Sequence, residues 1–193
     1  MAGRHRTFDE DTVLRQATEI FWTKGYESTT TEDLLAAMHL NKGSLYNAFG
    51  SKKSLFQRVV SHYSQQVFSD LDRQIEASDQ PMEVVRNLFR EVCDPEDPAQ
   101  HLKGCFFGNA VSELASIDGE LEKQAIEKLK TLENLFKKAL DKAVALKQLA
   151  IQNTEIPARY LVNLWNGINV TRRMYPHRKD LEPILKMSLQ ILS

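Results

Sequence analysis

A thiol, an amide and a carboxylate stand at helical spacing near the middle of the chain, in KGCFFGNAVSELA, residues 103–115. If this segment is a helix, Cys105, Asn109 and either Ser112 or Glu113 share one face, because side chains three and four residues apart are neighbours. A row of polar groups on a face expected to be buried is typical of a cavity that orients a ligand. Three residues of a later helical pattern could face this row and complete the cavity: Trp165, Asn166 and Asn169.

The chemistry of Cys105 leaves three roles open. It is a small buried apolar residue, as free cysteines usually are, or it lines a cavity for a noncovalent ligand. In the third role its thiol senses electrophiles or oxidants, which requires the reactive thiolate form. A helix N-terminus, Lys103 and His101 are neighbours that would favour a thiolate.

A second unusual segment, NKGSLYNAF at residues 41–49, is short, polar and rich in groups that bind nucleic acid. Only Leu45 and Phe49, four residues apart, have the spacing to face a core. If Asn41 caps a helix here, the next residues have unpaired N–H groups that attract a phosphate, and a glycine among them allows a close approach. These residues are Lys42, Gly43 and Ser44, and the side chains left over for phosphate or base contacts are Tyr46 and Asn47.

A helix-turn-helix explains this composition, because its second helix must leave one face free for the DNA major groove. The preceding segment STTTEDLLAAM predicts the first of the two helices, with Thr30 as its cap and Asp33 three residues later. Asn41 follows the end of that helix within about one turn, so the connection between the two helices is tight.

The rest of the chain has the period of helices, and nothing indicates a strand. Apolar spacing predicts a first helix that ends at Gly25, with Thr7 and Glu10 at the spacing of a capping box. A long helix follows Ser51, and five more stretches are helical: residues 82–92, 102–115, 119–146, 156–175 and 179–191. The predicted class is all-α with about nine helices.

Composition excludes several classes of protein. The formal net charge of −1 argues against a uniformly basic nucleic-acid coat, so only the placement of charges could indicate DNA binding. Two cysteines and five scattered histidines predict neither a disulfide framework nor a metal site, and no cofactor is expected. With no apolar run long enough for a membrane helix or signal peptide, we expect a cytoplasmic protein. The common phosphate-binding, dinucleotide-binding, zinc-protease and serine-hydrolase motifs are missing, so the sequence does not predict an enzyme.

The N-terminal segments resemble the tetracycline-repressor (TetR/AcrR) family of bacterial transcription regulators. The likeness is carried by IFWTKGYESTT, by the pattern Lys-Gly-Ser-Leu-Tyr-x-x-Phe of the third helix, and by SKKSL after it, and it covers residues 8–56. Two positions depart from the family pattern. His39 stands where the family usually has the glycine of the turn, and Ala48 stands where histidine or tyrosine is more common. The segment beginning at Gly104 and Cys105 resembles a TetR subgroup in which Gly-Cys opens the sixth helix beside the ligand cavity, and some members of which sense reactive species.

The resemblance implies two domains: a helix-turn-helix DNA-binding domain at residues 6–66, with the motif at 30–49, and a ligand-binding and dimerisation domain at 67–193. It implies a basic arm that enters the minor groove, formed by Arg4 and Arg6, for which a merely basic chain end is the alternative. The DNA contacts it implies in the domain itself are Thr30, Thr31, Lys42, Gly43, Ser44, Tyr46, Asn47 and Lys52.

The resemblance also implies a homodimer in which the last two helices pair with their symmetry mates. Their apolar residues exceed what one outer helix needs to cover a core, although a purely internal core is an alternative: Leu161, Leu164, Trp165, Ile168, Leu181, Ile184, Leu185 and Leu189. The implied function is a transcription regulator, most simply a repressor, which a small-molecule or electrophile/oxidant inducer releases from a palindromic operator. A helical adaptor that binds a protein and no DNA is the alternative, and salt-sensitive DNA binding would distinguish the two.

Overall fold

The computed structural model describes residues 8–93, 102–175 and 177–190. Within these ranges the chain has nine α-helices and no strand, which confirms the predicted all-α class. The helices are α1 (Glu10–Lys24), α2 (Thr31–Met38), α3 (Lys42–Phe49), α4 (Lys52–Ala77), α5 (Pro81–Cys93), α6 (Phe106–Leu114), α7 (Gly119–Ala145), α8 (Glu155–Thr171) and α9 (Arg178–Leu189).

Polar caps fix where the first four helices begin. Each starts after a side chain that accepts a hydrogen bond from the backbone N–H three residues later, and these caps are Asp9, Thr30, Asn41 and Ser51. Asp33 returns the bond, as predicted, by accepting the Thr30 N–H at 3.0 Å. The predicted capping box of Thr7 and Glu10 is wrong, because Asp9 caps α1 and Glu10 is its first helical residue.

The turn between α2 and α3 is tight because its first residue adopts a left-handed conformation. His39 has φ 52° and ψ 37°, and its backbone N–H reaches the Leu35 carbonyl to close the helix end. Histidine therefore takes the position where the TetR pattern has glycine, as the sequence predicted, and bears the steric cost of a Cβ there. Short α2 and α3 are thus held at a fixed angle.

Two buried apolar clusters organise the chain. One lies among α5, α7, α8, α9 and the second half of α4. The other fills the space between α1, α2, α3 and the first half of α4, and it continues without a break into α6 and the start of α7. The predicted division at residues 66 and 67 falls inside α4, which runs unbroken from Lys52 to Ala77.

Phe106 shows how closely α6 is joined to the N-terminal helices. Its ring centroid lies 5.8 Å from that of Trp22 on α1, and 6.0 Å and 5.5 Å from those of Phe56 and Tyr63 on α4. Tilted and edge-to-face rings at these distances attract one another in addition to burying apolar area. A displacement at the start of α6 would therefore reach both α1 and α4 through direct contact.

The prediction that α8 and α9 carry surplus apolar residues for a partner is wrong for five of the eight residues on which it rested. The internal-core alternative is right for these five, which are no more than 9% exposed: Leu161, Ile168, Leu181, Leu185 and Leu189. Other apolar residues on these helices and in the turn between them are exposed instead: Ile156 at 62%, Val170 at 60%, Met174 at 68%, Tyr175 at 42% and Met187 at 70%.

Two features are absent from the described residues. No helix in these ranges is long and apolar enough to cross a membrane. In the same ranges no three histidine, cysteine or acidic side chains come together as a metal site.

Candidate nucleic-acid interface and internal cavity

One face of α3 is free of the rest of the chain. Leu45 and Phe49 are buried at 3% and 5% exposure, as their spacing predicted, whereas Tyr46 is 42% exposed. The other exposed residues on this face and at its N-terminal end are Asn41, Lys42, Gly43 and Asn47. An exposed polar face on a helix of only eight residues is the form that a groove-reading helix requires.

The N-terminal end of α3 presents backbone donors to solvent. The Asn41 Oδ1 accepts the Ser44 N–H at 2.8 Å, so the cap satisfies one donor of the first turn. The N–H groups of Lys42 and Gly43 precede it and keep the positive end of the helix dipole exposed. With the Lys42 ammonium beside them, these groups can bind a phosphate.

Arg58 of α4 holds α3 from behind. Its guanidinium lies 5.0 Å from the centre of the Phe49 ring, and its Nη1 donates to the Ala48 carbonyl at 3.3 Å. It also forms an ion pair with Glu10 of α1. The recognition helix is therefore fixed to both α1 and α4, which limits the conformational entropy it would lose on binding DNA.

The predicted contacts on α2 lie at its first turn. Thr30 is exposed and its hydroxyl accepts the Asp33 N–H at 3.1 Å, which leaves the hydroxyl hydrogen for a phosphate. Thr31 is half-buried. A hydrogen bond from Lys24 and another from the Thr30 backbone lower the pKa of Asp33 to about 2, so this cap stays ionised in all ordinary buffers.

Lys52 is directed inward, which contradicts the expectation that it contacts DNA. Its ammonium donates to the carbonyls of Tyr26 and Thr29 at 3.0 Å and to that of Glu27 at 3.4 Å. It also lies 4.6 Å from the centre of the Tyr26 ring. An ammonium group has three donors, so these carbonyls occupy it, and Lys52 fixes the loop between α1 and α2. Arg4 and Arg6 of the predicted arm lie outside the described residues.

An internal cavity of about 240 Å³ lies where the N-terminal helices meet the C-terminal ones. Its walls come from six helices and from the residues beside two of them, and most are aromatic or aliphatic. The lining residues are Trp22, Tyr63, Val67, Phe68, Leu71, Leu88, Val92, Gly104, Cys105, Phe106, Phe107, Leu132, Trp165, Asn169 and Arg172. An apolar enclosure with few polar groups is typical of a site for a small organic molecule.

Both halves of the chain match families of known proteins. Residues 13–59 match the bacterial regulatory proteins of the tetR family, and residues 81–187 match the tetracyclin repressor-like C-terminal domain. The chain belongs to the TetR family. This membership confirms the resemblance drawn from the helix-turn-helix residues.

Relatives in the TetR family match nearly the whole chain. YezE of Bacillus subtilis (strain 168), an HTH-type transcriptional regulator, is 29% identical over 192 residues, which is 98% of this chain and 99% of YezE. The HTH-type transcriptional repressor DhaR of Mycobacterium sp. (strain GP1) is 25% identical, over 93% of this chain and 90% of DhaR. A cysteine mutant of the TetR-family regulator CifR, solved with 26-bp operator DNA, has a TM-score of 0.83 and 26% identity over 99% of this chain and 100% of that one. Escherichia coli NemR in its reduced form shares the fold, with a TM-score of 0.82 and 16% identity over 95% of this chain and 96% of NemR.

Three of the six predicted cavity residues of this TetR-family chain line the cavity: Cys105, Trp165 and Asn169. The predicted segment 102–115 placed Cys105 within a helix. In the structure Cys105 instead caps α6, and its Sγ accepts the Gly108 N–H at 3.4 Å. The predicted helix N-terminus beside the thiol is therefore present. Lys103 instead pairs with Glu19, and His101 lies outside the described residues.

The other three predicted cavity residues are engaged elsewhere. Asn109 donates to the Lys103 carbonyl at 2.6 Å and accepts from Arg173, so it fastens the chain before α6. Asn166 packs on Gly108, where an added methyl group would lie 3.1 Å from the Asn166 Oδ1. The predicted row does not form as a unit, because Cys105 stands before α6 as its cap whereas Asn109 and Glu113 lie within the helix.

Glu113 has a role that sequence reasoning missed. Its carboxylate oxygens accept the backbone N–H groups of Tyr26 at 3.0 Å and Glu27 at 2.9 Å. Gly25 makes this contact possible, since it has φ 82° and an added methyl group there would lie 2.7 Å from the Glu113 Oε1. Helix α6 therefore begins at the cavity, with Cys105, and ends on the loop that leads into the helix-turn-helix. Nothing local in the sequence joins residues 86 positions apart.

Proposed function

We propose that this TetR-family chain is a non-enzymatic repressor that binds a palindromic operator as a homodimer and leaves it when a ligand occupies the internal cavity. The observation that carries the proposal is the exposed polar face of α3, held rigidly on a helix-turn-helix with an open N-terminus. The structure of a CifR cysteine mutant bound to operator DNA supports the proposal, because CifR is similar to this chain over 99% of this chain's length.

The DNA contacts we propose are those that remain exposed or half-buried around α3. The Lys42 ammonium and the first N–H groups of α3 bind a phosphate, and Tyr46 and Asn47 enter the major groove. At the start of α2, Thr30 and Thr31 contact the backbone on the other side of the groove. Lys52 is left out, because its ammonium holds the loop between α1 and α2.

Dimerisation through α8 and α9 is supported by the exposed apolar residues of these helices. Ile156, Asn163 and Val170 recur every seven residues along α8 and so lie on one stripe, with Met174 beyond its end. Met187 of α9 adds to the apolar surface. The two helix-turn-helix motifs of a symmetric dimer can occupy major grooves about 34 Å apart, which a single motif cannot do.

Helix α6 is the proposed route from the cavity to the DNA. A ligand that displaces the start of α6 moves Phe106 against Trp22 and Tyr63, and at the other end it moves Glu113 against the loop after α1. Helix α4 belongs to both clusters and transmits the same movement. One conformation of the dimer spaces its two helix-turn-helix motifs to fit the operator, and the other does not. The ligand can lower operator affinity only by the difference between its binding free energies for these two conformations.

The proposal has two forms. In the covalent form the inducer reacts with Cys105, and in the noncovalent form it binds beside Cys105. The thiol caps α6 and lines the cavity, so both a covalent and a noncovalent inducer would act at the same helix end. A buried apolar role for Cys105, at 8% exposure, is compatible with the noncovalent form. Substitution of the thiol distinguishes these forms.

The direct test of the DNA surface is fluorescence polarisation on duplexes taken from immediately upstream of the protein's own gene. Lys42→Ala is expected to weaken binding and to reduce the slope of log K against log salt by about 2, one for each helix-turn-helix motif. Tyr46→Phe is expected to weaken binding without changing that slope by as much. Lys130→Ala, an exposed lysine on α7, is the matched control. Unchanged affinity and slope in Lys42→Ala would remove α3 from the interface.

A further inference from the structure

The internal cavity offers a ligand no uncompensated charge. Arg172, which directly follows α8, is the only charged residue among the described residues that line the cavity, and it already has an interaction partner in the chain. A ligand with a charge of its own would lose its hydration on entry and gain no free counter-charge in return. The cavity therefore favours a ligand that is uncharged.

Aromatic rings form much of the cavity wall. They come from α1, α4, α6 and α8 and are Trp22, Tyr63, Phe68, Phe106, Phe107 and Trp165. The centroid of the Tyr63 ring lies 5.3 Å from that of Trp22, 5.5 Å from that of Phe106 and 5.6 Å from that of Phe107. Rings that meet at an angle leave electron-rich faces and positive edges for a further ring, which attract it more than they attract an alkyl group. This wall favours an aromatic ligand.

The volume of the cavity limits the size of that ligand. At about 240 Å³ it is smaller than the roughly 300–1,000 Å³ of sites that hold drug-sized molecules. The aliphatic part of the lining adds only carbon and consists of Val67, Leu71, Leu88, Val92 and Leu132. A body of one or two rings matches these dimensions.

Two oxygens of the lining residues have no hydrogen-bond partner in the described part of the chain. One is the Tyr63 hydroxyl, and burial raises its pKa, so it stays neutral and can both donate and accept. The other is the Oδ1 of Asn169, whose Nδ2 donates to the Trp165 carbonyl at 2.8 Å. A ligand hydroxyl also donates and accepts, so it can pair with either oxygen without bringing a charge.

We infer that the cavity binds an uncharged aromatic molecule of one or two rings that carries a hydroxyl group, a phenol or a naphthol, and that this hydroxyl pairs with Tyr63. The inference rests on the proposed function only in taking this cavity as the effector site. The rings of such a ligand replace water along the aromatic wall. Its hydroxyl gives the otherwise unpaired Tyr63 oxygen a partner, which a bare hydrocarbon cannot do.

Isothermal titration calorimetry of the full chain measures this preference with four probes that share one two-ring skeleton. They are 2-naphthol, naphthalene, 2-naphthoate and decahydro-2-naphthol, each used below its solubility limit. We expect 2-naphthol to bind at one molecule per chain. The carboxylate of 2-naphthoate finds no free counter-charge, so this probe should bind at least about tenfold more weakly.

The other two probes test the hydroxyl and the ring separately. Naphthalene lacks the hydroxyl and should bind about three- to tenfold more weakly than 2-naphthol, the factor expected for one hydrogen bond. Decahydro-2-naphthol keeps the hydroxyl but loses the attraction between rings, so we expect a decrease of similar size.

Two variants assign the hydroxyl contact. Tyr63→Phe keeps the ring among its aromatic neighbours and removes the hydroxyl, so it should bind 2-naphthol and naphthalene about equally. Tyr160→Phe removes a hydroxyl that lies outside the cavity, where it donates to the Ser188 carbonyl at 2.8 Å, and should keep the full preference for 2-naphthol. Circular dichroism of each variant records whether it is folded.

Several outcomes with the wild-type chain would overturn the inference whether or not Tyr63→Phe folds. They are the absence of saturable heat with 2-naphthol, and binding of 2-naphthoate, naphthalene or decahydro-2-naphthol as tight as that of 2-naphthol. A folded Tyr63→Phe chain that keeps the full preference for 2-naphthol over naphthalene would overturn it as well.

Polarisation of labelled operator DNA, with and without 2-naphthol, separates this inference from the proposed function. Failure to bind DNA, or DNA binding that saturating 2-naphthol leaves unchanged, would count against the proposed function. Calorimetry alone then decides the class of ligand.

Discussion

Replacement of Glu113 by alanine removes the contact that joins the end of α6 to the loop after α1. The carboxylate accepts N–H groups at 2.9 and 3.0 Å, and a hydrogen bond to a charged group contributes about 1.5–3 kcal/mol. Water can replace the bond at the exposed Glu27 N–H, whereas the Tyr26 N–H is half-buried. We therefore expect a loss of about 2 kcal/mol in the free energy of unfolding, which corresponds to about 4–8 °C in Tm for a chain of this size.

Gly25 allows the same contact to be tested by a double-mutant cycle. Gly25→Ala places a methyl group 2.7 Å from the Glu113 Oε1 and strains a backbone with φ 82°. In the Glu113→Ala background only the backbone strain remains, so the double variant should be less destabilised than the sum of the single variants. Urea unfolding followed by circular dichroism measures all four chains, with Glu127→Ala on the exposed side of α7 as control. Additive losses, or a Glu113→Ala loss no larger than that of Glu127→Ala, would refute this account of α6.

Three other perturbations have defined outcomes. Lys52→Ala should lower Tm because three carbonyls lose their donor, while the salt slope of operator binding stays unchanged; a lower slope would return Lys52 to the DNA contacts. Asp33 has a folded-state pKa of about 2 against an ordinary 3.8, so its stabilisation is present above pH 4 and is lost as the pH falls toward 2. Asp33→Asn should therefore flatten the stability profile in that window, and an unchanged profile would contradict the ion pair with Lys24. Cys105→Ser should abolish release of operator DNA by a thiol-reactive electrophile if the inducer acts covalently, and an unchanged response would discard that form.

Local signals in the sequence predicted the N-terminal helices well. Thr30 and Asn41 cap the helices that they were predicted to cap, and the spacing of Leu45 and Phe49 identified the buried side of α3. These features depend on residues three or four positions apart, which a sequence displays directly. Family resemblance supplied the function of the exposed side, since a polar face alone does not distinguish DNA from solvent.

The cavity and the joint between the two clusters were less accessible from the sequence. Trp22 lines the cavity from α1, 83 positions before Cys105, and Glu113 binds amides that belong to another element. Tertiary packing alone brings these residues together. One local error also had consequences: residues 104 and 105 were taken as helical, although Gly104 has φ 76° and Cys105 caps α6, so the thiol does not continue the row of Asn109 and Glu113.

Titration of the wild-type chain against labelled upstream duplex, at several salt concentrations, tests the central claim most directly. A dimeric DNA reader should saturate one site at two chains, or a multiple of two, and its affinity should fall steeply as salt rises, because each neutralised phosphate releases counterions. Saturable, salt-sensitive binding with paired stoichiometry is the predicted result. Weak binding with no dependence on salt, or saturation at one chain per site, would contradict the account.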